Sequence, residues 1–195
     1  MSTRHLWSNA ARLVVVVASL VPLVGCGSEM LRTGRAPVYM VINNITTEAG
    51  GGGGASGSLL SDVQPVFNDI ASVSIGVEAK NPTVETTGLN AVTLTRYRVV
   101  YRRTDGRNTP GVDVPYGFDG GLGLTIPAGG TGTANFDVVR HQAKLEPPLK
   151  NLTGLGGQIF ISTIAEITFY GHDQNGNEVA VTGRVDIQFA DFADE

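Results

Sequence analysis

The stretch "ISTIAEITFYGHDQNGNEVAVTGRVDIQFAD", residues 161–191, alternates apolar and polar side chains on both sides of a short glycine-containing turn. Before the turn the apolar set is Ile161, Ala165, Ile167 and Phe169; after it, Val179, Val181, Val185, Ile187 and Phe189. A period of two marks strands with one face buried. All of these positions are odd-numbered, and that parity decides the turn. A two-residue turn at Asn175-Gly176 would set Phe169 against Thr182 and Ile167 against Arg184, exposing one whole apolar set. A three-residue loop, Gln174-Asn175-Gly176, pairs odd with odd if Gly176 takes the left-handed region as a G1 bulge. It predicts Phe169 opposite Val181, Ala165 opposite Val185 and Ile161 opposite Phe189. On the other face it sets Glu166 against Arg184, Thr168 against Thr182 and His172 against Glu178, with Asp173 opposite Asn177.

Working outward, "ASVSIGVEAK", residues 71–80, alternates throughout, with Ala71, Val73, Ile75, Val77 and Ala79 on one face. Asn81-Pro82 ends it, since proline has no N–H for a ladder. "VTLTRYRVVYRR", residues 92–103, is rich in β-branched and aromatic residues, and its apolar parity switches between Leu94 and Tyr97, which predicts a bulge or burial on both sides there. "PVYMVINNI", residues 37–45, reads as a first strand, and "GTANFDVVR", residues 132–140, as another with Ala134, Phe136 and Val138 inward. The Gly-rich 48–58 segment has too little side chain to pack and reads as a loop inside one domain, with no Gly-Lys-Ser/Thr to make a phosphate loop. Residues 104–121 carry many Gly, Pro and Asp without a steady period and read as a long ordered loop, edge pieces allowed. "HQAKLEPPLKNL", residues 141–152, has room for one helical turn before Pro147-Pro148.

Strands with turn-rich connections predict an all-β antiparallel sandwich of about seven strands over residues 37–195. This rhythm, with the terminal "NGN" hairpin, resembles bacterial immunoglobulin-like and fibronectin-III-like modules. The antibody-type Cys-Trp-Cys core is absent, because the one tryptophan is Trp7 and the one cysteine is Cys26. Such a fold carries no activity by itself.

The amino-terminal end has a different composition. Arg4, His5 and Arg12 precede an uncharged run of 12 residues, Leu13–Val24, with no acid before it. As a helix that run spans roughly 18 Å, short of the about 30 Å hydrocarbon core. A basic start, a short apolar stretch and a small-residue end are the parts of a secretory signal peptide. Leu23-Val24-Gly25-Cys26 resembles the bacterial lipobox. The resemblance implies cleavage after residue 25, a diacylglycerol thioether and acyl chain on Cys26, and a lipidated tether over residues 26–36. Several chains together make a durable anchor where one binds weakly. Gly27, where an Asp tends to signal inner-membrane retention in such lipoproteins, points to the outer membrane. The mature 170 residues carry 12 basic against 18 acidic groups, a net −6 that argues against a nucleic-acid partner.

Candidate chemistry is sparse. "DQNGNE", residues 173–178, offers oxygens at Asp173, Asn175 and Asn177, but its glycine falls at position 4 and Arg184 at position 12 of a calcium loop, so the hairpin explains it better. Asp105, Asp113 and Asp119 lie in one loop and could converge on a cation, though Asp also favours turns by itself. Arg96, Arg98, Arg102 and Arg103 interleave with Tyr97 and Tyr101: either a ligand surface, or a solvated strand face paired with acids such as Glu78. His141, beside Arg140 and near Glu146, and His172 are the two mature histidines, and no Gly-x-Ser-x-Gly or His-Glu-x-x-His motif accompanies them. No cofactor, metal site or catalytic residue is predicted. The expectation is a non-enzymatic, lipid-anchored module for binding or assembly with an envelope protein. A carbohydrate- or calcium-dependent ligand module at residues 104–121 is the alternative, and an envelope hydrolase the third reading. The hydrolase would need His141 or His172 within reach of an acid and a hydroxyl in a cleft.

Overall fold

A computed structural model describes residues 34–50, 52 and 54–192; the expected leader, the lipobox-like stretch and Cys26 lie outside the described residues. The compact unit starting at Arg35 is an all-β domain of eight strands in two sheets. The strands are β1 (Val38–Glu48), β2 (Ser58–Asp62), β3 (Asp69–Ala79), β4 (Val92–Arg102), β5 (Phe118–Ile126), β6 (Thr131–Val139), β7 (Ile161–Asp173) and β8 (Glu178–Ala190). One helical turn, α1 (His141–Lys144), follows β6, as the double proline requires. The smaller sheet runs β1-β3-β6 and the larger β2-β8-β7-β4-β5. Among the described residues no helix is long and apolar enough to cross a membrane.

The β7–β8 hairpin has the register that its parity demands. Phe169 pairs with Val181, Ala165 with Val185 and Ile161 with Phe189. Gly176 sits at φ 80°, and the Asp173 N–H donates to the Asn177 carbonyl at 3.0 Å. The solvent face is complementary too: Thr168 and Thr182 share a hydroxyl hydrogen bond of 2.9 Å, and Arg184 reaches Glu166 at 3.0 Å. In β4 the register slips between Leu94 and Arg96 against both β5 and β7, so the parity switch is a bulge. Gly171 lies opposite Leu94, and a Cβ there would meet the Thr93 carbonyl oxygen at 2.5 Å. The bulge therefore needs a glycine on the partner strand.

The inward faces meet in one core. Phe136 of the smaller sheet packs between Tyr97 and Phe169 of the larger, with ring centroids 4.9 and 5.2 Å away. Tyr101 crosses the gap and donates its hydroxyl to the Val138 carbonyl at 2.7 Å. Burial, and secondarily the charge of Asp69, push the Tyr101 phenol well above its ordinary range, so it stays a donor.

Several expectations are corrected. The sandwich is not wholly antiparallel, because β2 lies parallel to β8. Five residues after the Gly-rich loop suffice for this edge strand, and Leu59, its deepest apolar residue, is buried. The strand count is eight, because β5 begins inside the expected 104–121 loop. Its alternation is hidden by Gly120, over which the Tyr97 ring lies where a Cβ would go. Ala36, placed in the expected tether, is buried, and the Lys80 N–H donates to the Pro37 carbonyl at 2.9 Å. The Gly-rich segment is also shorter than 48–58: Glu48 and Ser58 belong to strands, and Thr47 and Ser56 exchange backbone hydrogen bonds of 2.7 and 2.9 Å.

Candidate functional site

Strand directions collect four of the seven connections between strands at one end of the domain, the two longest among them. Residues 49–57, 63–68, 103–117 and 140–160 leave strands there, whereas 80–91, 127–130 and 174–177 turn at the other end, where Arg35–Pro37 lead into β1. The loop-rich end is organised around a charge pair. Lys144 Nζ donates to Asp69 Oδ1 at 2.9 Å, and neither side chain has solvent exposure. Asp69 also accepts from Ser61 Oγ at 2.5 Å and from the Gly50 N–H at 2.8 Å. One carboxylate thus ties β2, β3, the Gly-rich loop and α1 together. A buried charge is tolerable only with partners of this kind.

From outside, Asn68 holds the same helical turn. Its Oδ1 accepts the His141 N–H at 2.7 Å and lies 2.9 Å from His141 Nδ1. An atom that accepts from a backbone N–H is an oxygen, so Nδ1 carries the hydrogen and Nε2 is left for solvent or a ligand. Arg140, just before α1, lies over the Phe118 ring at 3.9 Å and donates from Nη2 to the Asp119 carbonyl at 2.6 Å.

Two adjoining open clefts flank Asn68 and His141. One, of about 540 Å³, is bordered by Pro115–Phe118, Asp137, Arg140 and Glu146. The other, of about 620 Å³, lies against Glu48–Gly50 and Val66–Phe67. The first is the concave feature at the far end of the 104–121 segment.

The predicted site residues are distributed as follows. Asp105, Asp113 and Asp119 do not converge. Asp105 is held well below the ordinary carboxylate range by Arg103, with Arg107 adding to the effect. Asp113 accepts the Thr109 N–H at 3.1 Å, and Asp119 pairs with Arg96 at 3.0 Å. Among the described residues no group of three His, Cys, Asp or Glu is placed to hold a metal ion. The arginine ladder is a paired strand face: Arg102 meets Glu166 at 2.6 Å, Arg96 lies 3.8 Å over Tyr170, and Arg103 pairs with Asp105. Arg98 is opposite Thr168 on β7 and Asp119 on β5. Glu78 is not in this array, because β3 belongs to the other sheet. Tyr97 and Tyr101 point inward to the core.

Asp173 is fully buried and spends its oxygens on the turn, accepting from the Asn175 and Asn177 N–H groups and from Asn177 Nδ2 at 2.8–2.9 Å. His172 Nδ1 lies 3.0 Å from the Asp173 carbonyl, and His141 meets an amide oxygen. Of the two, only His141 borders these clefts. Sequence reasoning reaches His141, Arg140 and Glu146 but passes over Asn68, Asp69 and Lys144. A lysine in a single helical turn beside prolines looks like any solvated lysine, and no spacing ties it to an aspartate 75 residues earlier.

No protein-family model matches the chain, and no curated protein matches it. Among solved structures it is similar to a putative late embryogenesis abundant protein, with 10% identity, a TM-score of 0.44, and 92% of this chain and 87% of that one covered. It is also similar to the putative ApaA protein from Bordetella pertussis, with 10% identity, a TM-score of 0.35, and coverages of 79% and 94%. A third likeness, to the structural-genomics target SoR45, has 11% identity, a TM-score of 0.36, and coverages of 79% and 86%. None of these lends the chain an activity.

Proposed function

We propose that this protein is a non-enzymatic binding or assembly module of the cell envelope, tied to the membrane through lipid on Cys26, with the loop-rich end as its binding end. The observation that supports this reading is positional. Four connections, including the two longest at 103–117 and 140–160, meet at the end opposite Arg35–Pro37, where a tether would attach, and they enclose both clefts around His141. Exposed apolar side chains stand beside these clefts, among them Phe67 and Tyr116. Gly27 favours the outer membrane as the site of anchoring. The domain is read as a variant of the immunoglobulin-like plan, with β2 added in parallel at the edge of the larger sheet.

The test places a photo-crosslinking residue at Tyr116 or Phe67, and at Val84 on the opposite end, in cells and in a Cys26→Ala background. A discrete adduct from the first two positions, absent from Val84 and lost without the anchor, is the expected result. Equal labelling from both ends refutes the orientation. Intact mass of the membrane-extracted protein checks the anchor: a mature chain with acyl mass on Cys26 is expected, and an unacylated chain ends that part of the reading.

A small-ligand role is the second reading, and the cleft bordered by Pro115–Phe118 favours it. Its calcium-dependent form is weakened because Asp105 and Asp119 are held by arginines and Asp113 by a backbone N–H. The hydrolase reading has no supporting geometry at His141, whose Nδ1 meets an amide.

A further inference from the structure

The cleft beside α1 keeps opposite charges apart. Arg140 lines it together with Asp137 and Glu146. A flexible arginine beside two carboxylates would ordinarily close on one of them, since the guanidinium fork and the carboxylate match in geometry. Here the guanidinium is held by the Phe118 ring at 3.9 Å and by the Asp119 carbonyl at 2.6 Å. Among the described residues it makes no ion pair within 4 Å, and neither the Asp137 nor the Glu146 carboxylate has a hydrogen-bonded partner. The charges are nevertheless close enough to be felt at one point: after burial, Asp137 raises the Tyr97 phenol while Arg140 pulls it down. One N–H of the five-donor fork is spent on Asp119, so others can still donate side-on to a carboxylate. With His141 neutral the cleft is net negative by one, which disfavours a simple anion. A ligand carrying both signs satisfies both sets.

We propose that this cleft binds a zwitterion of the amino-acid or short-peptide class, its free carboxylate on Arg140 and its free ammonium group against Asp137 and Glu146. The proposal deepens the binding reading of the loop-rich end and rests on it for place alone, without requiring the lipid anchor or a protein partner. Pro115, Tyr116 and Phe118 give the cleft an apolar wall for the carbon skeleton between the charges. His141, fixed through Nδ1 by Asn68, leaves Nε2 as an acceptor for a further donor when neutral.

The test is calorimetry on the full-length protein with alanyl-alanine, its N-acetyl derivative and its C-terminal amide. The free dipeptide is expected to bind, and either cap to weaken binding at least tenfold. Arg140→Gln should remove the preference for the free dipeptide over the amide and keep its preference over the N-acetyl form. The double replacement Asp137→Asn, Glu146→Gln should do the reverse. Equal binding of all three probes, or no binding of the dipeptide at tens of millimolar, overturns the proposal. The three-probe comparison needs only the wild-type protein, so a misfolded variant leaves it decidable. A protein that crosslinks a partner at this end yet ignores the dipeptide overturns this inference alone. One that binds the dipeptide but yields no adduct overturns the assembly reading alone.

Discussion

Replacing Lys144 by methionine should destabilise the domain far more than removing a surface lysine. The methionine fills much of the same space, so the loss is electrostatic. Asp69 would keep Ser61 Oγ and the Gly50 N–H but lose the cation bonded to it, Lys144, inside a site with no solvent exposure. Breaking a buried pair from one side costs about 3–5 kcal/mol. For a domain of this size each kcal/mol shifts the melting temperature by about 2–4 °C, so a fall of about 6–20 °C is expected. The companion variant is Asp69→Asn with Lys144→Met. Asparagine Oδ1 can still accept the Gly50 N–H, and its amide can donate to Ser61 Oγ, so both charges leave while both hydrogen bonds stay. The double variant should therefore recover at least about 2 kcal/mol of the single variant's loss, the reverse of additivity. Urea unfolding followed by tryptophan-free probes, such as tyrosine fluorescence or far-ultraviolet dichroism, gives all the stabilities needed. A single variant within about 1 kcal/mol of wild type, or a double variant worse than the single, refutes the reasoning.

Three further outcomes follow from local geometry. Gly171→Ala should cost about 1–3 kcal/mol, because its Cβ would meet backbone atoms of Thr93 and Leu94 across the bulge. Gly121→Ala, with nothing within 4 Å of its Cβ, should stay within about 0.5 kcal/mol, and equal effects on denaturation midpoints would count against the bulge argument. Tyr101→Phe should cost about 1–3 kcal/mol by leaving the buried Val138 carbonyl without its donor, as read from thermal unfolding. Glu166 is held below its ordinary range first by Arg102 and then by Arg184, so its contribution is present above about pH 4.3 and lost as pH falls through the lowered native value. Both arginines are more than half exposed, so Glu166→Gln should cost only about 0.2–1 kcal/mol at pH 7. That gap should close on acidification, and a gap that widens contradicts the sign.

What the sequence makes legible here is whatever repeats along one segment. The β7–β8 register follows from parity alone, because a slip of one residue would turn Phe169 and Phe189 to water. The β4 bulge is visible for the same reason: Leu94 and Tyr97 cannot share a face without it. β5 is not legible, since three of its nine residues are glycines and the inward position at Gly120 is filled by a tyrosine from another strand. β2 has too few residues for a period to emerge, and its parallel place beside β8 depends on a partner more than a hundred residues away. The binding end is harder still. Arg140 and His141 look like the tail of a strand, and what distinguishes them is what holds them: Phe118, Asp119 and Asn68, all distant in sequence.

The charge pair and the cleft are consecutive parts of one construction. Asn68 and Asp69 are neighbours, the first outside and the second inside, and they grip His141 and Lys144 of the same helical turn. Positioning α1 and stabilising the sandwich can therefore be separated. In the double variant Asp69→Asn, Lys144→Met, most stability should return, but the charge-assisted contact from α1 to β3 is gone, leaving that turn held mainly by Asn68 and its own packing. Hydrogen exchange of the Ala143 amide, which donates to the Arg140 carbonyl at 3.0 Å, reports on that turn directly. It should speed up at least tenfold in the double variant while core amides such as Ile167 change in proportion to global stability only. If the Ala143 amide instead tracks the core, the ion pair contributes to stability and has no part in holding the wall of the cleft.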